Sequence, residues 1–496
     1  MPRRAGLAAL VFTTMAVSAS AQQPTAEDAQ ALQRDLRGWF VNLLGSGLPL
    51  PEPPLIVTAD GDAYRATLSL EDLTGRKGDA VTARIHKLAD GRWSLDPLRF
   101  PGSAAFSVPT PDRASPDAMS DVAITLGEQK SRAVIDPAMN ARSTLEMEFR
   151  AVEVTGTGGG QVHEQNFDRG TFRATLIPGA DQRLDINQEA EIAGWKSSVA
   201  TDAGMLTHME IRRMRQNSRL EGLNRERLEI AFGAIKSMLA EAAGNGADKD
   251  ATAQISGPMR THIRTLISSL REMAARLEGE ETLDNLSVEI PGVATVTLDQ
   301  ARFGLGADAP DGKVHAWMEV ALSGPDVPDL PPSLTKYLPN RLALRPAISG
   351  VSVDRLFKLM MDATEENPDQ QRLESEGRAL LEDPAAQIGL ESLSLEMAGV
   401  QIEGTARLRM LAPDTVGFEG RLSAAGMETL MNEAGKDAEL QIAMPILVII
   451  RGLARPDGER LVWDLAITKD QALVNGVDVM RMAAPPSQPH PRRPSR

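Results

Sequence analysis

From residue 55 to about residue 198 this sequence repeats one pattern: short runs in which apolar and polar residues alternate, each closed by turn residues. Residues 64–70, 80–88, 144–154 and 171–177 are such runs. A period of two sends successive side chains to opposite sides of a strand and fits no helix. Asp60-Gly61 and Asp90-Gly91 lie between runs. That dipeptide suits a tight hairpin turn, because its residues tolerate positive φ. The region is expected to be antiparallel sheet.

Two other regions keep a helical period. Leu32, Leu36, Trp39, Phe40, Leu43 and Leu44 recur at three-four spacing, which predicts a helix over 25–44 before a Gly/Pro-rich break at 45–54. Leu220, Leu223, Leu228, Phe232, Ile235 and Leu239 mark a second amphipathic helix. Met259, Ile263, Leu266, Ile267, Leu270, Met273 and Leu277 mark a third. Gly244-Asn245-Gly246-Ala247-Asp248-Lys249-Asp250 between them is polar and Gly-rich. Residues 205–282 therefore read as an α-helical hairpin. It is expected either to pack on the sheet or to serve as a partner-binding arm.

The second half contains an internal repeat. Leu283-Asp284-Asn285-Leu286-Ser287-Val288-Glu289-Ile290-Pro291-Gly292-Val293 aligns with Leu390-Glu391-Ser392-Leu393-Ser394-Leu395-Glu396-Met397-Ala398-Gly399-Val400. Most of these positions are identical or exchange one aliphatic residue for another. Each copy runs on into two further strand patterns and then a helix-like segment, at 353–361 and 427–433, with another at 371–381 before the second copy. A repeated β-meander/helix unit accounts for this, with copies at about 283–361 and 390–480.

The first residues carry Arg3 and Arg4, then an apolar run over 5–17, then Ala19-Ser20-Ala21. This is the basic, apolar, small-residue layout of a secretory signal peptide over 1–21, so the mature chain is expected in a bacterial periplasm. The sequence has no cysteine, which excludes disulfides, thiolate metal sites, cysteine nucleophiles and a lipoprotein anchor. A net charge of −15 repels phosphate backbones, so nucleic acid is not expected as a partner. No later stretch is long and apolar enough to predict an integral membrane helix. The tail 481–496 is Pro-rich and basic, and is expected to be disordered.

Several motifs resemble chemistry without supplying its parts. Gly156-Thr157-Gly158-Gly159-Gly160 lacks the Lys and hydroxyl of a phosphate cradle and reads as a flexible loop. Gly304-Leu305-Gly306 has no third glycine and no helix after it. His163-Glu164 would need a second histidine one turn on, where Phe167 stands. His86, His163, His208, His262, His315 and His490 show no ligand spacing, and no metal or cofactor is expected. Gly350-Val351-Ser352-Val353-Asp354 has Asp354 where a nucleophile elbow needs glycine; Ser352 reads as a helix N-cap. Glu365-Glu366, Glu278 and Glu280-Glu281 lie in polar runs where solvation is the default. Ile446-Leu447-Val448-Ile449-Ile450, the most apolar stretch after the leader, is expected to be a buried core element, or failing that the wall of an apolar site.

Towards the C-terminus come Gly417-Phe418-Glu419-Gly420-Arg421-Leu422, then Gly426, Ile450-Arg451-Gly452 and Asp457-Gly458. Trp463-Asp464-Leu465-Ala466-Ile467 and Val474-Asn475-Gly476-Val477-Asp478-Val479 follow. Over roughly 283–482, including Leu330-Pro331-Pro332, the chain resembles a family of exported alphaproteobacterial proteins of unknown function. Its meanders are also distantly similar to the AsmA-like envelope proteins, whose curved sheets can hold lipid chains. These resemblances imply a periplasmic, β-rich protein and carry no active-site residue.

The expected fold class is α+β, predominantly antiparallel sheet. A helix and β-rich domain fills 22–204, the helical hairpin 205–282, and the duplicated meander domain 283–480. With no catalytic constellation, the expected function is non-enzymatic binding of an apolar ligand or an envelope protein, which requires a continuous apolar groove or cavity. A structural or protein-interaction role for the hairpin is the alternative. A periplasmic hydrolase is the third reading, and needs a histidine against a carboxylate or serine in a pocket.

Overall fold

A computed structural model describes residues 24–44, 54–71, 79–109, 119–158, 161–201, 206–244, 256–292, 294–328, 330–331, 335–412, 415–436 and 441–480. The leader, the 245–250 linker and the tail of the sequence reading lie outside them.

The strands are β1 (Leu55–Asp60), β2 (Ala63–Ser69), β3 (Ala80–Lys87), β4 (Trp93–Arg99), β5 (Ser103–Pro109), β6 (Met119–Leu126), β7 (Gln129–Ile135), β8 (Ser143–Gly158), β9 (Gln161–Pro178), β10 (Arg183–Thr201) and β11 (Leu206–Asn224). After a helical segment follow β12 (Arg276–Ile290), β13 (Ala294–Asp308), β14 (Lys313–Asp326), β15 (Arg341–Ser352), β16 (Gln387–Met397), β17 (Val400–Ala412) and β18 (Thr415–Ala425). The last are β19 (Arg455–Asp457), β20 (Arg460–Ile467), β21 (Ala472–Val474) and β22 (Val477–Asp478). All belong to a single sheet, and every pairing is antiparallel. From β7 the sheet runs through β8 to β18 in chain order and on to β20. β6 and β7 share β8 end to end, on either side of Ala151, which takes φ 50°.

Among the described residues seven helices decorate this sheet: α1 (Ala26–Leu44), α2 (Arg225–Gly244), α3 (Gly257–Leu270), α4 (Val353–Asp362), α5 (Gln370–Leu381), α6 (Met427–Lys436) and α7 (Met444–Leu453). The first is capped by the Thr25 hydroxyl, which accepts from the Asp28 amide at 3.1 Å. Its Ala29, Leu32 and Leu36 pack on Leu55, Val57, Ala66, Ile85 and Ile135. Leu32 and Ile85 are almost fully buried, and each such burial stabilises by about 1.5–3 kcal/mol. Here the protein has two layers. By contrast β14, flanked by strands on both sides, contains no buried residue. Apart from Val314, which packs under α4 and α5, none of its residues belongs to a core cluster, so most of this strand lies in a single layer.

Several local expectations need correction. The strands of the central region are long, up to 19 residues, rather than short. Residues 206–224 are β11, not helix. Leu220 and Leu223 mimic helical spacing because the register shifts at Gly222, φ 63°, so that they pair with Ile186 and Leu184 respectively. The third predicted helix stops at Leu270; Met273 lies in a turn and Leu277 in β12. Gly156 and Gly158 end β8 rather than forming a loop, and Gly158 pairs with Gln161 of β9. Finally, Ile446, Val448, Ile449 and Ile450 are exposed, not core. They sit on α7, where only Leu447 and Leu453 reach the cluster formed by Val400, Ala424, Met427 and Trp463. A ten-residue helix laid on the sheet as an outer layer buries one side and turns the other to solvent.

Candidate functional site

The register divides the sheet into two chemically opposite faces. Directly paired residues in an antiparallel sheet project to the same side. From β13 to β20 one set of pairs is apolar throughout. Phe303 pairs with Val320, and Leu305 with Met318. Val320 pairs with Leu344, and Ala316 with Ile348. Ile348 meets Ile388 and Leu344 meets Leu393. Ile388 then meets Leu408, Leu408 meets Phe418, and Phe418 meets Ile467. Across seven strands no polar side chain interrupts this face. At about 4.8 Å per strand it is roughly 30 Å wide.

Much of it is open to solvent. Leu305 is 50% exposed and Met318 55%, while Phe303, Ile348, Ile388, Leu408, Val416 and Ile467 are also exposed. The adjoining helices leave Phe232, Ile235, Leu270 and Met360 exposed too. Scattered exposed aliphatics are ordinary, but a contiguous set in register is the mark of an interaction surface.

The other face is charged and largely satisfies itself. Arg132 and Arg173 reach Glu146 at 2.5 and 2.7 Å. Their hydrogen bonds, Arg132 first, hold the Glu146 carboxyl below the usual carboxylate range. Arg407 and Arg409 flank Glu419 at 2.9 and 2.6 Å. Two open clefts, of about 780 and 640 Å3, lie on this face. Their walls are such paired charges, including Glu146 and Arg173 in one and Arg407 and Glu419 in the other. Exposed ion pairs of this kind contribute little individually.

Asp284 is the exception, being almost buried on this face. Arg213 donates to it at 2.9 Å, Arg215 at 3.1 Å and Gln300 at 2.9 Å. Burial pushes its pKa up, but these donors outweigh burial and the net shift is downward. A carboxyl depressed in the fold contributes stability that is complete above its unfolded pKa of about 3.9 and fades as pH falls through the folded value. Asp284→Asn should therefore cost about 1–2 kcal/mol at pH 7, discounting the half-exposed arginines. The gap to wild type should close below about pH 4. Urea unfolding at pH 7 and pH 3 checks this, and a pH-independent gap would contradict it.

The histidines do not converge. His163 on β9 pairs with Val199, and His208 on β11 with Ser198, so the two point to opposite faces. His262 lies on α3 and His86 on β3; His490 is outside the described residues. His315 does meet carboxylates: its Nε2 is 2.9 Å from Glu391 and its Nδ1 3.5 Å from Asp308. Both ring nitrogens are thus turned to acids, leaving neither to activate a hydroxyl. Ser349, its partner in register, makes no hydrogen bond to it among the described residues. No group of three metal-ligating side chains occurs among the described residues.

Sequence reasoning missed what Gly304-Leu305-Gly306 does. A β-carbon at Gly306 would stand 2.5 Å from the Trp317 indole, and one at Gly304 3.0 Å. The two glycines let the indole lie flat against β13, and the Arg345 guanidinium covers its other side at 4.0 Å. The motif is a seat for a tryptophan. The apolar face itself was legible only as alternation, because no pattern in one strand shows whether a second layer covers it.

Compared with known proteins, the chain matches no family model, no curated protein and no solved structure.

Proposed function

We propose that this protein is a non-enzymatic carrier of aliphatic lipid chains, acting in the periplasm to which its leader would direct it. The single observation that carries this reading is the uninterrupted, half-exposed apolar face from β13 to β20. An acyl chain needs contiguous apolar area and no hydrogen-bond partner. The face offers that, since its backbone groups are engaged by neighbouring strands and its side chains are Leu, Ile, Val, Met and Phe. A protein-binding surface would be expected to show Trp, Tyr and Arg anchors. On this face the one tryptophan of these strands, Trp463, is buried and donates to the Ile450 carbonyl at 2.8 Å.

Duplication is the proposed origin of the long face. Both repeat motifs carry an irregularity at the same point: Asn285 has φ 53°, and the β16–β17 register shifts between Leu390 and Leu393. Both place an acid just before it, Asp284 and Glu391, that forms an ion pair with an arginine of the preceding strand. Under this reading the paired helices α2 and α3 are a hairpin added at the strand ends between the first sheet region and the first repeat.

The test is to purify the full chain from its native compartment, extract it with organic solvent and identify lipids by mass spectrometry. Near-stoichiometric acyl lipid, displaceable by a fluorescent fatty acid, is expected. A lipid-free protein that also fails to bind the probe overturns the reading.

A further inference from the structure

One stretch of the same face is not apolar. On β10, β11 and β12 the register brings together four polar side chains in two adjacent rows. Gln188 pairs with Ser218, which pairs with Gly279; Ala190 pairs with Gln216, which pairs with Glu281. The rows on either side are apolar: Ile186, Leu220 and Leu277 on one, Ile192, Met214 and Leu283 on the other. Phe172 and Phe303 close the second row, on β9 and β13. The result is a polar island enclosed by hydrocarbon at one margin of the seven-strand apolar face.

The island's groups are not used up by one another. Ser218 donates to Gln188 at 3.2 Å. Gln216 and Glu281 make no side-chain hydrogen bond or ion pair among the described residues. Carboxylates such as Glu146, Asp284 and Glu419 are met by arginines, whereas Glu281 stands among hydrocarbon and neutral polar side chains. Gly279 leaves open room between them: a β-carbon there would have nothing nearer than Leu305 at 3.8 Å.

We propose that this island is the headgroup subsite of the lipid-binding face, and that it takes a lipid whose headgroup ends in a primary ammonium. This inference rests on the lipid-carrier reading. The chemistry selects the class. Glu281 supplies an unpaired carboxylate, and charge-assisted hydrogen bonds from an ammonium are the strongest partners it can find. Gln188, Gln216 and Ser218 supply neutral donors and acceptors for the ester and phosphate oxygens beside that ammonium. No arginine or lysine belongs to the island, so a lipid ending in a bare phosphate or carboxylate would meet Glu281 as a like charge. With the headgroup on β10–β12, the acyl chains run over Phe303 and Leu305 on to β14 and beyond.

The experiment incubates the delipidated full chain with vesicles of phosphatidylethanolamine, phosphatidylglycerol and phosphatidic acid, equimolar and matched in acyl chains. Protein-bound lipid is then quantified. Wild type is expected to enrich the ethanolamine lipid at least about 5-fold over phosphatidic acid. Glu281→Gln is expected to abolish that preference while total bound lipid stays the same. Gln216→Leu should weaken the preference in the same direction. Uptake in vesicle proportions by wild type, a preference for the glycerol lipid, or an unchanged preference in Glu281→Gln would each overturn the headgroup assignment and leave the carrier reading standing. No uptake of any lipid would instead fail the carrier reading itself.

Discussion

Gly350→Ala should lower the unfolding free energy by about 3–5 kcal/mol, among the largest losses available to a single methyl group in this protein. Gly350 sits where β15 bulges against β14, between Val351, paired with Val314, and Ser349, paired with His315. Its φ is 76°. That left-handed conformation costs a residue with a β-carbon about 1 kcal/mol. The added carbon would also overlap the Ala385 carbonyl, and a backbone carbonyl cannot swing aside as a side chain can. Ala386 next to it is almost wholly buried, in a cluster with Val351 and Leu380. Opening this contact would therefore loosen the join between β15, β16, α4 and α5 as well. Gly312→Ala provides the comparison. Its φ is 72°, but nothing lies within 4 Å of the added carbon. It should lose only the conformational part, about 1 kcal/mol. Denaturant unfolding of both variants separates the two contributions, and equal losses would show that the Ala385 contact carries no weight.

The same position shows which parts of the fold were readable. Ser352 as an N-cap followed from its place before an amphipathic run, and its hydroxyl accepts from the Arg355 amide at 3.5 Å. The role of Gly350 did not follow, because its constraint comes from residue 385, a sequence-distant carbonyl. Antiparallel sheet was legible wherever alternation was regular. Strand length was not, because a glycine that bends a strand and one that ends it look alike in sequence. Gly194 lies inside the 19-residue β10 with φ 66°, packed under the Asp168 side chain. It bends a strand instead of closing one. The strand-to-helix junction near Asn224 was hidden for a related reason, since a bulge at Gly222 imitates helical spacing. Hydrophobicity was the weakest guide to burial. The run at 446–450 looked like core from composition alone, yet Ile446 is 61% exposed and Ile449 58%. Burial needs a neighbour on that side, and the side of α7 turned away from the sheet has none among the described residues. The polar island was equally hidden, because Gln188, Gln216, Ser218 and Glu281 come together only through the register of three strands.

Leu305→Glu combined with Met318→Glu should remove bound lipid while leaving the fold intact. The two residues pair directly across β13 and β14 on the apolar face. Both are at least half exposed, so their replacement deprives no core of its packing, and surface changes of this kind usually alter stability by less than about 0.5 kcal/mol. Their effect on a bound acyl chain is of another order. Each buried methylene contributes about 0.8 kcal/mol, so displacing four to six of them from this pair costs about 3–5 kcal/mol. That corresponds to a loss of affinity of about 150- to 4,000-fold. Desolvating two carboxylates under hydrocarbon would only deepen the loss. The matched control is Ser349→Ala, on the opposite face of the same region. It should leave lipid retention unchanged, and it also removes the hydroxyl that faces His315 across β14 and β15. Fatty-acid probe titration and denaturant unfolding of wild type, double variant and control read affinity and stability separately. If the double variant unfolds like wild type and still retains lipid, the chains do not lie on this face. If Ser349→Ala instead abolishes turnover of an ester substrate, the polar face is the working one and the apolar face serves another end.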